Sequence, residues 1–258
     1  PHGYHDISTV MYPIGWCDVL ELVPGEGKDM TLTVTGNRVD CPTEKNLVMK
    51  AARLMSSLAD IPPTDIYLHK IIPDGAGMGG GSSDAAFTLR GLNDLYGLGF
   101  DKEKLADLAS KLGADCPFFI YNVPMLAEGI GEKLSKTGLD LTGYGIMVVK
   151  PDFSISTAEA YGGVKPEVPE SHLADRLNGD TGSWKETVKN AFVDHLAKKY
   201  SKIDEITGWL YDKGALYASM TGSGSAVYGI FENTDMADMA RGEYEKIHGE
   251  WYFYSGKL

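Results

Sequence analysis

Basic residues are in short supply: 24 Lys and Arg stand against 36 Asp and Glu in 258 residues, for a net charge of −12. Nucleic acid and anionic membrane surfaces need a basic face, so this balance argues against both as partners. It leaves small anions open, because backbone N–H groups can hold them. Cysteine is scarce too. Cys17, Cys41 and Cys116 are odd in number and share no close spacing. That argues against a disulfide framework or a zinc site and fits a reducing, cytoplasmic compartment. No apolar run approaches the ~18 residues needed to cross a bilayer, and nothing resembles a signal peptide. His2, His69, His172, His195 and His248 have no ligand-like spacing, so no resident metal site is read. Internal repeats and low-complexity tracts are missing as well. What is present is ordinary: 43% hydrophobic and 23% charged residues, enough to bury a core in one large domain or two modest ones.

Two rhythms divide the chain. In the first third, Ile7 to Tyr12, Asp18 to Val23 and Met30 to Val34 are rich in β-formers, with Pro24-Gly25 separating the last two. From Asn46 to Leu58 the apolar positions follow helical spacing, and Asp65 to Ile72 alternates as a strand before Pro73 and a glycine cluster. Helices are predicted from Ser82 to about Tyr96 and from Lys102 to Leu112, the second capped by Gly113. The later part predicts a buried strand at 145–149, helices at 184–198 and 202–212, and strands at 216–219 and 226–231 around Gly222-Ser223-Gly224. A helix at 235–247 and a strand at 251–254 follow. Strand, helices, strand, strand, helix, strand is the order of a ferredoxin-like unit. A boundary is therefore placed near Gly138, in the polar stretch 135–143, and the fold class is α+β with two domains.

The most informative segment is Pro73-Asp74-Gly75-Ala76-Gly77-Met78-Gly79-Gly80-Gly81-Ser82-Ser83-Asp84-Ala85-Ala86. Five glycines in seven residues cost backbone entropy, so the chain needs them for unusual dihedrals or for close backbone approach. Unpaired N–H groups at the following helix start, beside such glycines, form an anion site. A flexible loop with a serine cap is the plainer alternative, but it would not need small residues all the way into the helix. No Gly-x-x-x-x-Gly-Lys-Ser/Thr occurs, which removes the Walker loop. Gly75-x-Gly77-x-x-Gly80 matches the dinucleotide fingerprint, but the helix after it is followed by another helix, not by a second parallel strand ending in an acidic ribose ligand. His-Arg-Asp and Asp-Phe-Gly are absent, which removes the protein-kinase loop.

The segment resembles the Pro-x-x-x-Gly-x-Gly-Ser-Ser-x-Ala-Ala hallmark of the galactokinase, homoserine kinase, mevalonate kinase and phosphomevalonate kinase superfamily. Its Gly-Gly-Gly-Ser-Ser-Asp-Ala-Ala ending is most similar to the family of 4-diphosphocytidyl-2-C-methyl-D-erythritol kinases. Four more segments carry the resemblance over nearly the whole length: Gly3-Tyr4-His5, Gly113-Ala114-Asp115-Cys116-Pro117-Phe118-Phe119, Ser156-Thr157-Ala158-Glu159-Ala160-Tyr161 and Met220-Thr221-Gly222-Ser223-Gly224-Ser225. The resemblance implies a ribosomal-S5-like N-terminal domain (1–138) that binds ATP and a ferredoxin-like C-terminal domain (139–258) that binds a cytidine diphosphate substrate. The implied reaction is phosphorylation of that substrate's 2-hydroxyl in the non-mevalonate isoprenoid pathway. The family also carries a Pro-Ala-Lys-Ile-Asn kind of segment that has no counterpart here. The chain opens at Pro1 without Met, so the expectation is that residues precede it and that turnover depends on them. Two other readings stay open: a homoserine- or mevalonate-type kinase of the same superfamily, and an inactive nucleotide-binding fragment.

Site roles follow only from the resemblance. By position alone Asp115, at a helix end before an apolar run, reads as structural; the family match makes it the base that accepts or orients the substrate hydroxyl. Asn46, Lys70, Pro73 and the loop Gly75, Ala76, Gly77, Met78, Gly79, Gly80, Gly81, Ser82 and Ser83 would hold the nucleotide. For Lys70 a solvated charge at a strand end is an equal reading. Tyr4 and Tyr161 would sandwich the cytosine and His5 would read its edge, with core packing the alternative for Tyr161. Thr157, Asn190, Gly222 and Ser223 would also line the substrate site. For Asn190 a surface helix is the stronger alternative, and for Gly222-Ser223 a plain hairpin turn. Mg²⁺ is expected to arrive with ATP, held mainly by phosphates and water. The oligomeric state is not legible.

Overall fold

The computed structural model describes residues 5–169 and 171–258. Its N-terminal part runs β1 (Ile7–Met11), β2 (Val19–Pro24), β3 (Thr31–Gly36), α1 (Leu47–Ser56), β4 (Thr64–Lys70), α2 (Gly80–Leu95), α3 (Lys102–Ser110), α4 (Cys116–Tyr121), β5 (Met125–Gly129) and β6 (Lys133–Lys136). β4 lies between β2, which is antiparallel to it, and β3, which is parallel. Side chains alternate across a strand, so Thr64, Ile66, Leu68 and Lys70 all fall on the buried face of β4. α1 turns Val48, Ala51, Ala52 and Met55 toward that face. α2 adds Ala85, Ala86, Leu89 and Leu92, and together these residues form the first core. Asn46 starts α1 as predicted from the helical spacing, its side chain accepting the Val48 N–H at 2.9 Å.

The C-terminal part runs β7 (Gly145–Lys150), α5 (Thr157–Gly162), α6 (Leu173–Leu177), α7 (Trp184–Thr187), α8 (Val193–Lys199), α9 (Lys202–Asp212), β8 (Tyr217–Met220), β9 (Val227–Phe231), α10 (Thr234–Glu245) and β10 (Tyr252–Lys257). The sheet order is β10-β7-β9-β8, antiparallel throughout. That is the ferredoxin-like arrangement expected from the element order. α9 and α10 cover one face of the sheet with Met147, Val149 and Phe231 beneath them, while Ile146 and Val148 face the other way. Both faces of β7 are covered, which explains its unbroken apolar run.

One local expectation is corrected, and two elements stand where none is predicted. The helix predicted for 184–198 is two helices, α7 and α8, broken at Val188. Here tertiary donors take the helix carbonyls: Arg176 Nη1 donates to Thr187 O at 3.0 Å and Tyr217 Oη to Val188 O at 3.3 Å. The apolar run after Asp115 is a short helix, α4, admitted because Pro117 sits in its first turn, where no amide donor is needed. The polar stretch near 135 contains strand β6, which pairs with β5; Lys133-Leu134-Ser135-Lys136 has little strand propensity of its own, so pairing decides. β1, β5 and β6 form a separate three-stranded sheet. Val10 and Leu126 of this sheet, with Tyr12 just beyond β1, pack with Trp184, Tyr217 and Ile230 of the C-terminal part. Among the described residues no helix is long and apolar enough to cross a membrane.

Candidate active site

One cleft of roughly 2330 Å³ runs between the two parts, and every candidate residue within the described part of the chain lines it. Tyr4 lies outside the described residues. The floor is the glycine loop. Gly75, Gly77 and Gly79 have φ of 64°, 71° and 68°, in the left-handed region that side chains rarely enter. Gly79, not a serine, stands at the cap position of α2, and no side chain caps that helix start. Ser82 and Ser83 therefore lie inside the first turn, and the Ser83 N–H closes it on Gly79 O at 2.8 Å. The first N–H groups of a 16-residue helix thus point toward the cleft end of the loop without a side-chain acceptor.

The loop is held from the other side of the cleft. The Ser225 and Ala226 N–H groups donate to Gly75 O and Ala76 O at 3.2 and 3.1 Å, and Thr221 Oγ1 donates to Gly77 O at 3.1 Å. A Cβ on Gly77 would lie 2.5 Å from Thr221 O and 2.7 Å from Gly224 O. Gly222-Ser223 is thus part of a turn that touches the loop, not an isolated hairpin end. Asn190 is not in a surface helix. It sits in the break before α8 and spends both amide hydrogens on Met220 O and Gly222 O, each at 2.8 Å. Its oxygen accepts the Phe192 N–H. Asn190 thereby fixes the turn, and neither of its N–H groups is left for a ligand.

Asp115 opens α4 beside the loop. The Phe119 ring lies 3.0 Å from where a Gly79 Cβ would stand, and Asp115 Oδ1 lies 3.5 Å from the equivalent point on Gly131 in the β5–β6 turn. The Asp115 carboxyl reaches the cleft, yet the surrounding walls remove enough solvent to raise its pKa above the ordinary carboxylate value. Across the cleft, burial and the Asp115 charge together raise the Tyr161 phenol. Tyr161 stands on α5, whose start is capped by Ser156 accepting the Glu159 N–H, with Thr157 exposed in the first turn. Phe192 meets its ring edge-on at 4.9 Å. His5 lies over it at 5.4 Å and 32°, too close to admit a base between the two rings. The structure therefore brings His5 itself against Tyr161.

Lys70 needs correcting more than any other candidate. It is neither solvated nor free: only 6% of its side chain is exposed, and Nζ donates to Asp18 Oδ2 at 2.5 Å and Asp84 Oδ2 at 2.7 Å. The strand alternation that buries Ile66 and Leu68 puts it there. Burial pulls its pKa down, but the two carboxylates more than compensate, and the net shift is upward. Burial raises Asp84 to about 6, against the pull of Lys70. Sequence reasoning missed Asp18 entirely. Its Oδ1 accepts the Ile71 and Ile72 N–H groups at 2.6 and 2.8 Å, and nothing in Trp16-Cys17-Asp18-Val19 signals this.

The geometry can hold a polyphosphate on backbone donors, present a carboxylate next to it, and receive a flat group near Tyr161. Comparisons with known proteins agree with that capacity. The model of the GHMP kinase N-terminal domain matches residues 46–122, and that of the C-terminal domain matches residues 173–246. A 4-diphosphocytidyl-2-C-methyl-D-erythritol kinase of Parabacteroides distasonis is 46% identical over 233 residues, 90% of this chain and 85% of the relative. One from Porphyromonas gingivalis is 41% identical over 92% and 88% of the two chains. A crystal structure of a 4-(cytidine 5'-diphospho)-2C-methyl-D-erythritol kinase superposes with a TM-score of 0.83 at 31% identity, covering 99% of this chain and 92% of that one. A homoserine kinase from Cytophaga hutchinsonii, at 17% identity and a TM-score of 0.76 over 98% and 95% of the two chains, shares the fold. Sequence, fold and cleft agree, and the chain belongs to the GHMP kinase family, among the 4-diphosphocytidyl-2-C-methyl-D-erythritol kinases.

Proposed function

We propose that the protein transfers the γ-phosphoryl group of ATP to the 2-hydroxyl of 4-diphosphocytidyl-2-C-methyl-D-erythritol, a step of the non-mevalonate route to isoprenoids. The observation that carries this reading is the meeting, in one cleft, of the uncapped helix start behind Gly79, the Asp115 carboxyl and the Tyr161 ring. Phosphoryl transfer asks the protein for positioning and charge stabilisation more than for covalent work. The loop N–H groups hold the phosphates, and Asp115 orients the acceptor hydroxyl and takes its proton. Tyr161 and His5 bind the cytosine, with His5 swinging off the Tyr161 face to admit it. Apart from His5 and Asp115, which face the acceptor, residues 1–138 serve ATP and 139–258 serve the acceptor, a division supported by separate apolar cores within 20–121 and 147–253.

The residues at the loop fit a nucleotide-borne Mg²⁺. Among the described residues no group of three or more His, Cys, Asp or Glu could hold a metal ion by itself, and Mg²⁺ on ATP needs only one or two protein oxygens. Asp84 is committed to Lys70, so the Ser83 hydroxyl is the proposed contact. Held there by the Ser83 hydroxyl, the ion would neutralise charge on the phosphates.

A substrate panel tests the reading. The full-length protein with ATP should turn over 4-diphosphocytidyl-2-C-methyl-D-erythritol and leave homoserine, mevalonate and phosphomevalonate untouched. Turnover of one of the other three in its place would overturn it. Binding of ATP without turnover of any acceptor would identify a nucleotide-binding relic.

Acceptor specificity gives a second expectation. Tyr161→Ala should weaken acceptor binding by about 1–3 kcal/mol, the range for base–aromatic stacking, and leave the ATP affinity within about twofold. Calorimetry with each ligand separately measures both. Equal losses would make Tyr161 a packing residue for Phe192 and nothing more.

A further inference from the structure

We propose that Asp18 is a positioning residue for the phosphate loop: its buried carboxylate ties the strand entering the loop to the helix leaving it, through Lys70 and Asp84. The inference rests on the kinase reading for what the loop holds, but its geometry stands alone. The Asp18 side chain is 4% exposed and that of Asp84 8%. One carboxylate oxygen of Asp18 accepts the Ile71 and Ile72 N–H groups, where β4 has just ended and the loop begins. The other accepts Lys70 Nζ, which donates in turn to Asp84 in the first turns of α2, where the loop has ended. Two acidic side chains and one ammonium thus join both ends of the loop through four hydrogen bonds.

Its position makes this more than a buried ion pair. Lys70 Nζ stands 3.5 Å from where a Gly80 Cβ would lie, and the Ile72 side chain stands 3.3 Å from the same point. The root of the loop and the first turn of α2 are therefore in contact at the triad. The loop accepts hydrogen bonds from across the cleft at Gly75, Ala76 and Gly77. It is held at its ends by the triad and in its middle by the C-terminal turn. Removing the Asp18 carboxylate frees two backbone N–H groups and leaves Lys70 with one partner. The first loop residues then lose the position from which the backbone donors are aimed. A misplacement of about 1 Å in such a site costs on the order of 10²-fold.

The test compares Asp18→Ala, Asp18→Asn and Asp84→Asn with the wild type in the full-length protein, well below each melting temperature. Affinity for a non-hydrolysable ATP analogue, affinity for the acceptor, and kcat are measured separately. Asp18→Ala should weaken the analogue by about tenfold or more and leave the acceptor within about twofold. Asp18→Asn retains an oxygen for the Ile71 and Ile72 N–H groups and should recover part of the loss. If Asp18→Ala does not fold, Asp18→Asn and Asp84→Asn must each weaken the analogue selectively. Lowered melting temperatures with unchanged analogue affinity would overturn the proposal and leave Asp18 as a packing residue. A wild type that binds no ATP analogue would instead remove the kinase reading on which the loop's role rests.

Discussion

Asp115→Asn is expected to leave both substrates bound and to lower turnover by roughly 10²–10⁴-fold, the range for a positioned general base. The substitution keeps the size of the side chain and its reach into the cleft, and it removes the charge that accepts the proton. Asp115 Oδ1 lies against the Gly131 turn, and α4 lies against the loop through Phe119, so an isosteric amide needs no rearrangement. The pH profile gives an independent readout. Burial raises the Asp115 pKa, so the carboxylate takes up its proton at a higher pH than an exposed aspartate. The wild-type rate should therefore fall as the pH is lowered, at a higher pH than an exposed aspartate would give. In Asp115→Asn that acid limb should vanish along with most of the rate. A steady-state assay across pH measures both. An unchanged rate and an unchanged limb would make Asp115 structural and send the search for the base elsewhere.

Gly77→Ala should lower kcat/KM for ATP by on the order of 10–100-fold, more than a single methyl group on a loop ordinarily costs. Two effects add. Gly77 has φ 71°, a conformation that costs a side-chain-bearing residue about 1–2 kcal/mol. The new Cβ would also lie 2.5, 2.7 and 2.8 Å from Thr221 O, Gly224 O and Gly224 N. These are backbone atoms that cannot turn aside, so the loop and the C-terminal turn must separate. Gly97→Ala separates the two effects, because Gly97 has φ 59° and nothing within 4 Å of an added Cβ. It should lose a similar increment of stability and keep its ATP kinetics. Thermal melts together with ATP titrations decide the matter. If the two variants behave alike, contact between the loop and the turn does not hold the nucleotide site.

The elements legible in the sequence were those whose burial follows a simple period. Ile66 and Leu68 announce β4 by alternation, and Val48, Ala51, Ala52 and Met55 announce α1 by helical spacing. The unbroken run of β7 announces a strand covered on both sides, and the order of the C-terminal elements announced the ferredoxin-like sheet. The loop was legible because five glycines in seven residues have no cheaper explanation than a required backbone path. What the sequence did not announce were elements made by partners. β6 is polar and exists through its pairing with β5. The break at Val188 exists because Arg176 and Tyr217 reach its neighbouring carbonyls.

The same division runs through the site. Lys70 could have been placed inside from the alternation alone, since it continues the face of Ile66 and Leu68; its charge made a solvated end the competing reading. Its partner Asp18 lies 52 residues away, and no local pattern marks a carboxylate that will be buried beside a lysine. The family resemblance points to Asn190, yet the work of its amide depends on Met220 and Gly222, which only the tertiary structure places across from it. Local spacing determined the elements and the loop, because periodicity and glycine chemistry act between near neighbours along the chain. The tertiary structure decided which charges pair in the interior and which turn closes on the loop. Those outcomes depend on groups far apart in sequence: the charges pair once β2, β4 and α2 have come together, and the turn closes on the loop once the two domains have packed.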